Sequence, residues 1–449
     1  MKWGKLFKPL VLATIIFGLI GALAGCGKTS QPPAAQPSSK EIKEIKIGLL
    51  NSMTGAFAPA GALAGYRGQQ IAIDIINEKG GVLGKYKVVP VAADAQSNPD
   101  IAIREAERLI NVERVPVIAG VFSSAIAVPV AQLCERNKTI FWDHIAISDA
   151  VVKGKHQQYV FRPQPMGSQW GTGTVDFINS NYKLFGVSSP ADLKVAILHE
   201  DGPYGVSCAA GNEERIKKYG MKLVLKQSYS VDIKDMTPII TKLKAAEPDV
   251  IFHTGYFPDL VLFFRQAREL GLKTKAILGH GAGHAALPEI GEQVGKDVVQ
   301  YVFNIDPPPA QIIDPKKLAP GLGDLNAELL KRVKEKYNTD NPATHYTQGF
   351  VHTWILLDKV LPVAIEKYGG VTPDAIRKAC LDLDIPEGGT GEGYGVKFAP
   401  PEDEYAGQNI RAFPAVMQWV GGKWRIVWPE NLKTAEPVLP LPKDSPFAK

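Results

Sequence analysis

The chain has 449 residues, 45% hydrophobic and 22% charged, proportions that are ordinary for a globular protein and that leave room for two or three domains. Its net charge of +5 falls to +2 once residues 1–25 are set aside, because they hold Lys2, Lys5 and Lys8 and no acidic residue. The rest carries neither a basic stripe nor aromatic residues interleaved with arginine, which argues against nucleic acid as a partner.

The N-terminus has the pattern of a processing signal. Three lysines precede the apolar run Leu10–Leu23, which is too short to span a bilayer comfortably. The run ends in Leu-Ala-Gly-Cys, which resembles the bacterial lipobox, so we expect residues 1–25 to be a signal peptide and Cys26 to carry the lipid. An ordinary signal peptide with a chance cysteine is the alternative. Residues 26–43 are rich in Pro and Ser and predict a flexible tether, so the protein is expected to be exported.

The first half of the chain alternates short apolar runs with segments of helical periodicity. The predicted strands are Glu44–Asn51, Lys87–Ala92, Val115–Ala119 and Lys138–Trp142. The predicted helices between them are Tyr66–Lys79, Asn98–Val112 and a segment that runs through Leu133. A βαβαβαβ order with connections of this length predicts a parallel sheet with helices on both faces.

The same rhythm restarts in the second half. Its predicted strands are Lys194–Leu198, Lys222–Leu225, Asp249–His253 and Lys275–Leu278, with helices at Ser207–Tyr219, Met236–Ala246 and Asp259–Leu270. Three more helices follow at Asn326–Tyr337, His352–Tyr368 and Pro373–Leu381. Gly421 and Gly422 then join an antiparallel pair, Ala412–Val420 and Lys423–Val427. Two α/β halves of similar plan predict two domains.

Three cysteines remain after Cys26. Cys134, Cys208 and Cys380 are an odd number without CxxC spacing, which fits neither a zinc site nor a disulfide framework. We expect small buried hydrophobic residues there, and the sequence leaves one disulfide open.

Catalytic and cofactor motifs are missing. The glycine-rich stretch 55–68 matches neither the dinucleotide pattern nor the P-loop, and the chain holds no nucleophile elbow and no HExxH. His280 and His284 are four residues apart, but GHGAGHAAL has too much glycine for a helix, so a pocket loop is favoured over a metal site. We therefore expect a binding protein that is no enzyme and needs no cofactor and no metal.

Ser123 and Ser124 stand where the strand Val115–Ala119 turns into a helix. A serine at this place can cap the helix with its hydroxyl. Alternatively, the free N–H groups of the helix start can hold an anion such as a carboxylate. The stretch by itself leaves both interpretations open.

Six motifs in order resemble the type I periplasmic binding proteins of ABC importers, in the leucine/isoleucine/valine-binding group, from about Ile45 to Trp419. They are IKIGLLNSMTGAFAPAG, INEKGGVLGK, VIAGVFSS, YVFRPQP, DGPYG and PDVIFHTGYFPDLVLFFRQARELGL. The resemblance implies an α/β fold of two Rossmann-like lobes with parallel sheets, joined by crossover strands and closing on a ligand in the cleft between them. It implies lobe I at 44–166 plus 305–395, lobe II at 167–304 plus 396–430, and a C-terminal tail at 431–449.

The resemblance also implies ligand contacts. Ser123 matches the serine that holds the ligand's carboxylate, with Ser124 beside it, and Ala146 with Ser148 lies in the next contact loop. Tyr204 and Tyr256 match tyrosines that close over the ligand from lobe II, with packing under the lobe surface as the alternative. The expected ligand-binding residues are Ser123, Ser124, Ala146, Ser148, Tyr204, Tyr256 and His280.

Two departures from the family bear on the ligand. The amino-acid binders place an acid in the loop that here reads Leu278–Gly283, and a second acid where this chain has Gly167. Burying an unpaired ammonium costs several kcal/mol. Either another acid such as Asp143 supplies the charge, or the ligand has no ammonium. Aromatic residues expected near the cleft, Phe57 and Trp170 among them, then favour a carboxylate on an apolar or aromatic body, or an amide.

The resemblance as a whole implies a lipid-anchored, monomeric solute-binding component of an ABC importer of the branched-chain amino acid type. Its partners would be a small-molecule solute, which it binds by hinge closure, and the ABC permease subunits. It would lie at the outer face of the cytoplasmic membrane or in the periplasm. The alternative is a ligand-sensing receptor of the same fold that passes closure to a signalling partner.

Overall fold

A computed structural model of the chain describes residues 43–449. The predicted signal peptide, the lipidation site Cys26 and nearly all of the predicted tether lie outside the described residues. Within residues 43–449, none of the helices is long and apolar enough to cross a membrane.

The first sheet has five parallel strands in the order β2-β1-β3-β4-β5. They are β1 (Lys43–Asn51), β2 (Tyr86–Asp94), β3 (Val117–Gly120), β4 (Ile140–Asp143) and β5 (Val160–Phe161). The helices between them are α1 (Leu63–Glu78), α2 (Pro99–Asn111) and α3 (Ser124–Arg136). The parallel sheet predicted from the first half of the chain is therefore confirmed.

The start of α2 shows how local sequence sets an element. The side-chain oxygen of Asn98 accepts hydrogen bonds from the N–H groups of Asp100 and Ile101 at 2.9 and 3.1 Å. It therefore satisfies two donors that have no partner inside the helix. Pro99 occupies the first helical position, where a missing N–H does no harm.

The second sheet has seven strands in the order β12-β11-β10-β9-β8-β6-β7. They are β6 (Lys194–Glu200), β7 (Lys222–Tyr229), β8 (Val250–Thr254), β9 (Ala276–His280), β10 (Phe303–Asp306), β11 (Ala415–Val420) and β12 (Lys423–Trp428). The associated helices are α4 (Gly167–Asn181), α5 (Pro203–Tyr219), α6 (Thr237–Ala246), α7 (Phe257–Glu269), α8 (Leu287–Val294) and α9 (Lys296–Val299). The predicted antiparallel pair is confirmed as β11 and β12, and Gly421 and Gly422 make its turn with φ of +59° and +76°.

The chain returns from β10 to the first sheet through four helices. They are α10 (Leu322–Tyr337), α11 (Thr344–Trp354), α12 (Leu361–Tyr368) and α13 (Pro373–Asp382). The helix predicted from His352 begins eight residues earlier, at Thr344. Every residue of α11 is buried, so the sequence offers no polar face from which to read a helical period. A wide turn, Ile355–Val360, precedes Pro362, which lacks the N–H that a regular helix would use.

The three cysteines and a few side chains of the C-terminal segment are buried in the interior. Cys134, Cys208 and Cys380 are buried free thiols in this part of the chain, as expected for small apolar residues. Leu432, Leu441 and Phe447 pack in the core of the second sheet, and Phe447 is fully buried.

The sheets define two lobes. The first lobe is the five-stranded sheet with α1–α3 and α10–α13, and the second lobe is the seven-stranded sheet with α4–α9. Segments near Arg162 and Asn409 run beside each other where the chain passes between the lobes. The N–H of Arg162 donates to the carbonyl of Gly407, and the N–H of Asn409 donates to the carbonyl of Arg162, both at 2.9 Å. The loops after β3, β4, β6, β8 and β9 leave the carboxyl ends of parallel strands, the edge at which open α/β sheets bind ligands.

Candidate functional site

A small cavity lies where these loops of the two lobes meet, and we call it the ligand cavity. The first lobe contributes Phe122, Ser124, Ile145, Ile147 and His345, and the second lobe contributes Trp170, Tyr204, Tyr256 and Ala282. Its volume is about 20 Å³, room for about one water molecule, so the space between the lobes is smaller here than a typical small-molecule site. The wall is mainly apolar and aromatic, with a few polar groups.

Ser123 starts α3 with its backbone and leaves its hydroxyl free. Its carbonyl accepts from the N–H groups of Ile126 and Ala127 at 3.0 and 2.9 Å. In the described structure its side chain makes no capping hydrogen bond, and its Oγ lies 3.4 Å from Oη of Tyr256 in the second lobe. The first N–H groups of α3 also lack partners within the helix and form its positive end. In the described structure the Ser123 side chain therefore does not act as a cap.

Ser124 and Ser148 make hydrogen bonds within the protein. Ser124 lines the ligand cavity, and its Oγ accepts a hydrogen bond from the N–H of Ser148 at 3.1 Å. The hydroxyl of Ser148 lies 2.9 Å from that of Ser207 in the second lobe and accepts from the N–H of Ala150 at 3.2 Å. Ser148 therefore lies behind the cavity wall and joins the lobes.

The contact loop after β4 presents different side chains from those expected. Ile145 and Ile147 line the ligand cavity, whereas Ala146 does not. The carbonyl of Ala146 accepts from the Nη2 group of Arg162 at 2.8 Å and from the side-chain amide of Gln164 at 2.6 Å. Ala146 thus holds the loop in place.

Tyr204 and Tyr256 both line the ligand cavity. Their ring centroids are 5.3 Å apart, and the Tyr256 ring lies 4.7 Å from that of Phe57 in the first lobe. The hydroxyl of Tyr204 donates to the carbonyl of His280. Burial raises the pKa of both tyrosines well above the usual value, so both present neutral phenols.

His280 lies at the end of β9, beneath the ligand cavity. Its Nδ1 is 2.9 Å from the hydroxyl of Thr254, and its Nε2 is 3.1 Å from the hydroxyl of Thr174. Burial lowers its pKa to about 3, so the ring is neutral at physiological pH. Among residues 43–449, no group of three or more His, Cys, Asp or Glu side chains is arranged to hold a metal ion.

Asp143 already has a cationic partner. It is fully buried, with Oδ2 3.2 Å from Nε of Arg162 and Oδ1 accepting from the N–H of Ala146 at 3.1 Å. Burial raises the pKa of this carboxyl to about 7, and the guanidinium of Arg162 opposes the shift. Since Asp143 is also absent from the cavity wall, it is not placed to pair with a ligand ammonium.

The two glycines at the departures from the family leave no room for an acid. Gly281 has φ of +63°, and a Cβ there would run into the six-membered ring of Trp170. A Cβ on Gly167 would come within 2.8 Å of the Cβ of Ser207, and its N–H donates to the carbonyl of Ile147 at 2.6 Å. Across residues 43–449, no carboxylate side chain belongs to the wall of the ligand cavity.

Sequence reasoning missed one polar residue of the wall. His345 lies on α11, and its ring stands edge-on to Phe122 with centroids 5.2 Å apart. No local motif marks it, because α11 is buried on all sides and is brought to the cavity by the return of the chain from the second lobe.

An open groove borders the ligand cavity on the side of Ser123. Its lining includes Phe57, Ser97 and Ser123 from the first lobe and, from the second, basic and acidic residues alike: Lys234, Arg265, Asp232 and Asp259. The ring of Phe57 lines this groove and packs against Tyr256 of the ligand cavity, so this aromatic pair lies between the two spaces.

Comparison with known proteins places these features in context. A family model described as periplasmic binding protein matches residues 44–418. The Leu/Ile/Val-binding protein homolog 8 of Brucella suis is 34% identical over 418 residues, which cover 93% of this chain and 97% of that protein.

Two solved structures are similar in fold. The branched-chain amino acid transporter substrate-binding protein of Streptococcus pneumoniae, in complex with isoleucine, superposes with a TM-score of 0.69 and 21% identity over 89% of this chain and 100% of its own. An ABC transporter solute-binding protein of Rhodopseudomonas palustris, in complex with benzoate, gives a TM-score of 0.69 and 16% identity over 88% and 98%.

Proposed function

Because the chain belongs to the periplasmic binding protein family, in its branched-chain amino acid-type branch, we propose that it is the lipid-anchored solute-binding component of an ABC importer. It captures a small solute outside the cytoplasmic membrane and presents it to a permease. The solute is a carboxylate on an apolar or aromatic body, or an amide, and it carries no ammonium group.

The observation that carries this proposal is the uncharged wall of the ligand cavity. The two places where relatives would hold an acid are Gly281 and Gly167, and packing against Trp170 and Ser207 closes both. Asp143, the substitute considered from the sequence, is paired with Arg162. An ammonium group would lose its hydration in this cavity and gain no counter-charge, a penalty of several kcal/mol.

The start of α3 is the natural place for the carboxylate. Ser123 lines the groove beside the ligand cavity, and its hydroxyl, the N–H groups of the first helical turn and the helix dipole all favour a negative charge there. Isoleucine and benzoate, the ligands of the two structural neighbours, both carry a carboxylate, but only benzoate lacks an ammonium. The benzoate complex is therefore the nearer chemical analogue.

Closure of the lobes is the mechanism that we propose for capture. Ser123 with Tyr256, Phe57 with Tyr256 and Ser148 with Ser207 are contacts between the lobes. Such contacts exist only in the closed state, so a ligand that touches both lobes shifts the population towards it. The permease would recognise the closed conformation.

The remaining parts of the proposal rest on the sequence. They are the signal peptide at residues 1–25, the lipid on Cys26, and the division into lobe I at 44–166 plus 305–395 and lobe II at 167–304 plus 396–430. The monomeric state and the permease partners are proposals of the same kind.

A thermal-shift panel tests the ligand class. Leucine, isoleucine and phenylalanine would be compared with 4-methylvalerate, benzoate, 3-phenylpropanoate and isobutyramide. A ligand at a hundred times its dissociation constant adds about 2.7 kcal/mol to the free energy of unfolding, an easily measured shift. We expect shifts from the ammonium-free compounds only. Shifts from the amino acids alone would contradict the proposal.

A further inference from the structure

Two polar side chains in the wall of the ligand cavity have no partner to explain them. Trp170 on α4 is 4% exposed and His345 on α11 is 2% exposed. Neither Nε1 of Trp170 nor Nδ1 of His345 has a hydrogen-bond partner within the described chain. A buried N–H without an acceptor costs about 1 to 3 kcal/mol, so a solute oxygen that accepts from it would recover that cost.

The indole of Trp170 is held by packing along one edge. Its six-membered ring lies against the Cα of Gly281, where even a methyl group would not fit. Its backbone is fixed in α4, with its N–H donating to Met166 at 3.2 Å and its carbonyl accepting from the hydroxyl of Thr174 at 3.3 Å. The N–H therefore stays where the fold puts it, on the opposite edge of the indole from the ring that contacts Gly281.

The imidazole of His345 approaches the same cavity from the other lobe. Its Nδ1 edge packs against Gly61 and its ring stands edge-on to Phe122, so Nε2 is the nitrogen on the side away from Gly61; within residues 43–449 the side chain makes no hydrogen bond. Burial lowers its pKa to about 4, so the ring is neutral and offers one donor and one acceptor. Trp170 and His345 thus offer uncharged hydrogen-bonding groups from opposite lobes.

The following proposal refines the ligand class of the proposed function and rests on that function. We propose that Trp170 and His345 form a second recognition point, which binds an uncharged oxygen of the solute, such as that of a hydroxyl, ketone or amide. The carboxylate of the solute lies at the start of α3. The Trp170 N–H donates to the second oxygen, and His345 makes the complementary hydrogen bond from the first lobe.

The charge of the wall decides the nature of the second group. No lysine, arginine, aspartate or glutamate side chain belongs to the described wall, so a second carboxylate or an ammonium would be buried without a counter-charge. A neutral oxygen needs only hydrogen bonds, and these two side chains supply them. The solute class is therefore a small monocarboxylate with a hydroxyl or carbonyl oxygen away from the carboxylate.

Matched probes and matched variants test this assignment by calorimetry on the purified full chain. The probes are benzoate with 4-hydroxybenzoate, and pentanoate with 5-hydroxypentanoate, so that each pair differs by one hydroxyl. Trp170→Phe keeps the ring and removes the donor. Trp354→Phe is the control, because Trp354 lies on α11, stacked on Phe350 in the first-lobe core and outside the ligand cavity.

We expect the unaltered protein to prefer the hydroxylated member of at least one pair. Trp170→Phe should weaken that member about five- to tenfold, which is the effect of one lost hydrogen bond, and should change its partner less than about twofold. Trp354→Phe should change neither. His345→Leu should give the same selective loss and serves as the second variant if Trp170→Phe does not fold.

Three outcomes would overturn the inference. One is that neither hydroxylated probe binds more tightly than its partner. Another is that Trp170→Phe and His345→Leu weaken both members of a pair equally, which would mean that the side chains only pack or contact the carboxylate, while the proposed function stands. If no carboxylate probe binds at all, the proposed function fails and the inference fails with it.

Discussion

At the scale of single residues, the difference between Ser123 and Ser148 shows how the same side chain serves structure or ligand. The Ser148 hydroxyl is engaged on two sides, with Ser207 and with the N–H of Ala150. The Ser123 hydroxyl leaves the helix start to the backbone and faces Tyr256 across the lobe boundary. Burial alone does not distinguish them, because both are fully buried.

Ser123→Ala is expected to separate binding from stability. The variant removes a hydroxyl that caps nothing, so the melting temperature of the empty protein should shift by less than about 2 °C. Affinity for 4-methylvalerate should fall about tenfold or more, because a hydrogen bond to a charged group contributes about 1.5 to 3 kcal/mol. Calorimetry and thermal unfolding measure the two effects.

Ser148→Ala is the matched control for this prediction. It removes the acceptor of the Ala150 N–H and one of the two hydrogen bonds of the Ser207 hydroxyl, so it should lower the free energy of unfolding by about 1 to 2 kcal/mol. If Ser123→Ala destabilised the empty protein as much as Ser148→Ala does, Ser123 would be a structural residue and the carboxylate site would have to lie elsewhere.

At the scale of elements, the strand ends combine burial with titratable side chains. His144 follows β4, while His253 and His280 lie at the ends of β8 and β9, and all three are fully buried. Burial lowers the pKa of each to about 3. Each ring is therefore neutral when the protein is folded and becomes protonated below pH 6.5 only when it unfolds.

This linkage predicts a loss of stability in acid. A histidine whose folded pKa is depressed contributes its full stability above the unfolded value of 6.5 and loses it as the pH falls towards 3. For His144 the loss between pH 7.5 and pH 5 is about 2 kcal/mol. Buried Asp259 and Asp306, with pKa values raised to about 7 and 8, act in the opposite direction, so the contribution of one histidine must be measured by difference.

His144→Leu isolates the contribution of His144 to the pH dependence of the free energy of unfolding. Both ring nitrogens of His144 lack partners in the described structure, so an apolar side chain of similar size removes the titration without breaking a side-chain hydrogen bond. The stability gap between pH 7.5 and pH 5, measured by chemical denaturation, should shrink by about 2 kcal/mol in the variant. An unchanged gap would mean that His144 is not held neutral by the fold.

Periodicity and turn residues were enough to predict the elements that have a polar face or that end at a clear turn. The alternation of strands and helices in both halves, and the Gly421–Gly422 turn, were predictable for this reason. The start of α11 was not, because an element that is buried on all sides has no period to read. Strand β10 was also missed, because its four residues carry too little pattern.

The candidate site divides in the same way. Ser123 and Ser124 follow a strand that periodicity predicts, whereas Tyr204 and Tyr256 were expected from the family resemblance; all four come soon after strands, so the topology brings them to one edge. His345 comes from the return segment, more than 200 residues after Ser123, and only tertiary packing brings it to the cavity. The sequence identified Gly281 as a departure, but the obstruction by Trp170 appears only when both are placed in space.

At the scale of the whole molecule, the ligand cavity sits within one apolar cluster that spans both lobes. Phe122, Ile145 and Ile147 of the first lobe pack in the same cluster as Trp170 and Tyr256 of the second. Opening the lobes would expose this surface to water, and an apolar solute in the cavity adds to the area that closure buries. Specificity and closure therefore depend on the same side chains.

The ratio of two dissociation constants tests the account most directly. Leucine and 4-methylvalerate share the carboxylate and the branched body and differ only by the ammonium. Titration calorimetry on the unaltered protein should find 4-methylvalerate bound at least about tenfold more tightly, because the cavity offers the ammonium no counter-charge. If leucine bound more tightly, an acid would have to reach the ligand from outside the observed wall, and the proposed ligand class would be wrong.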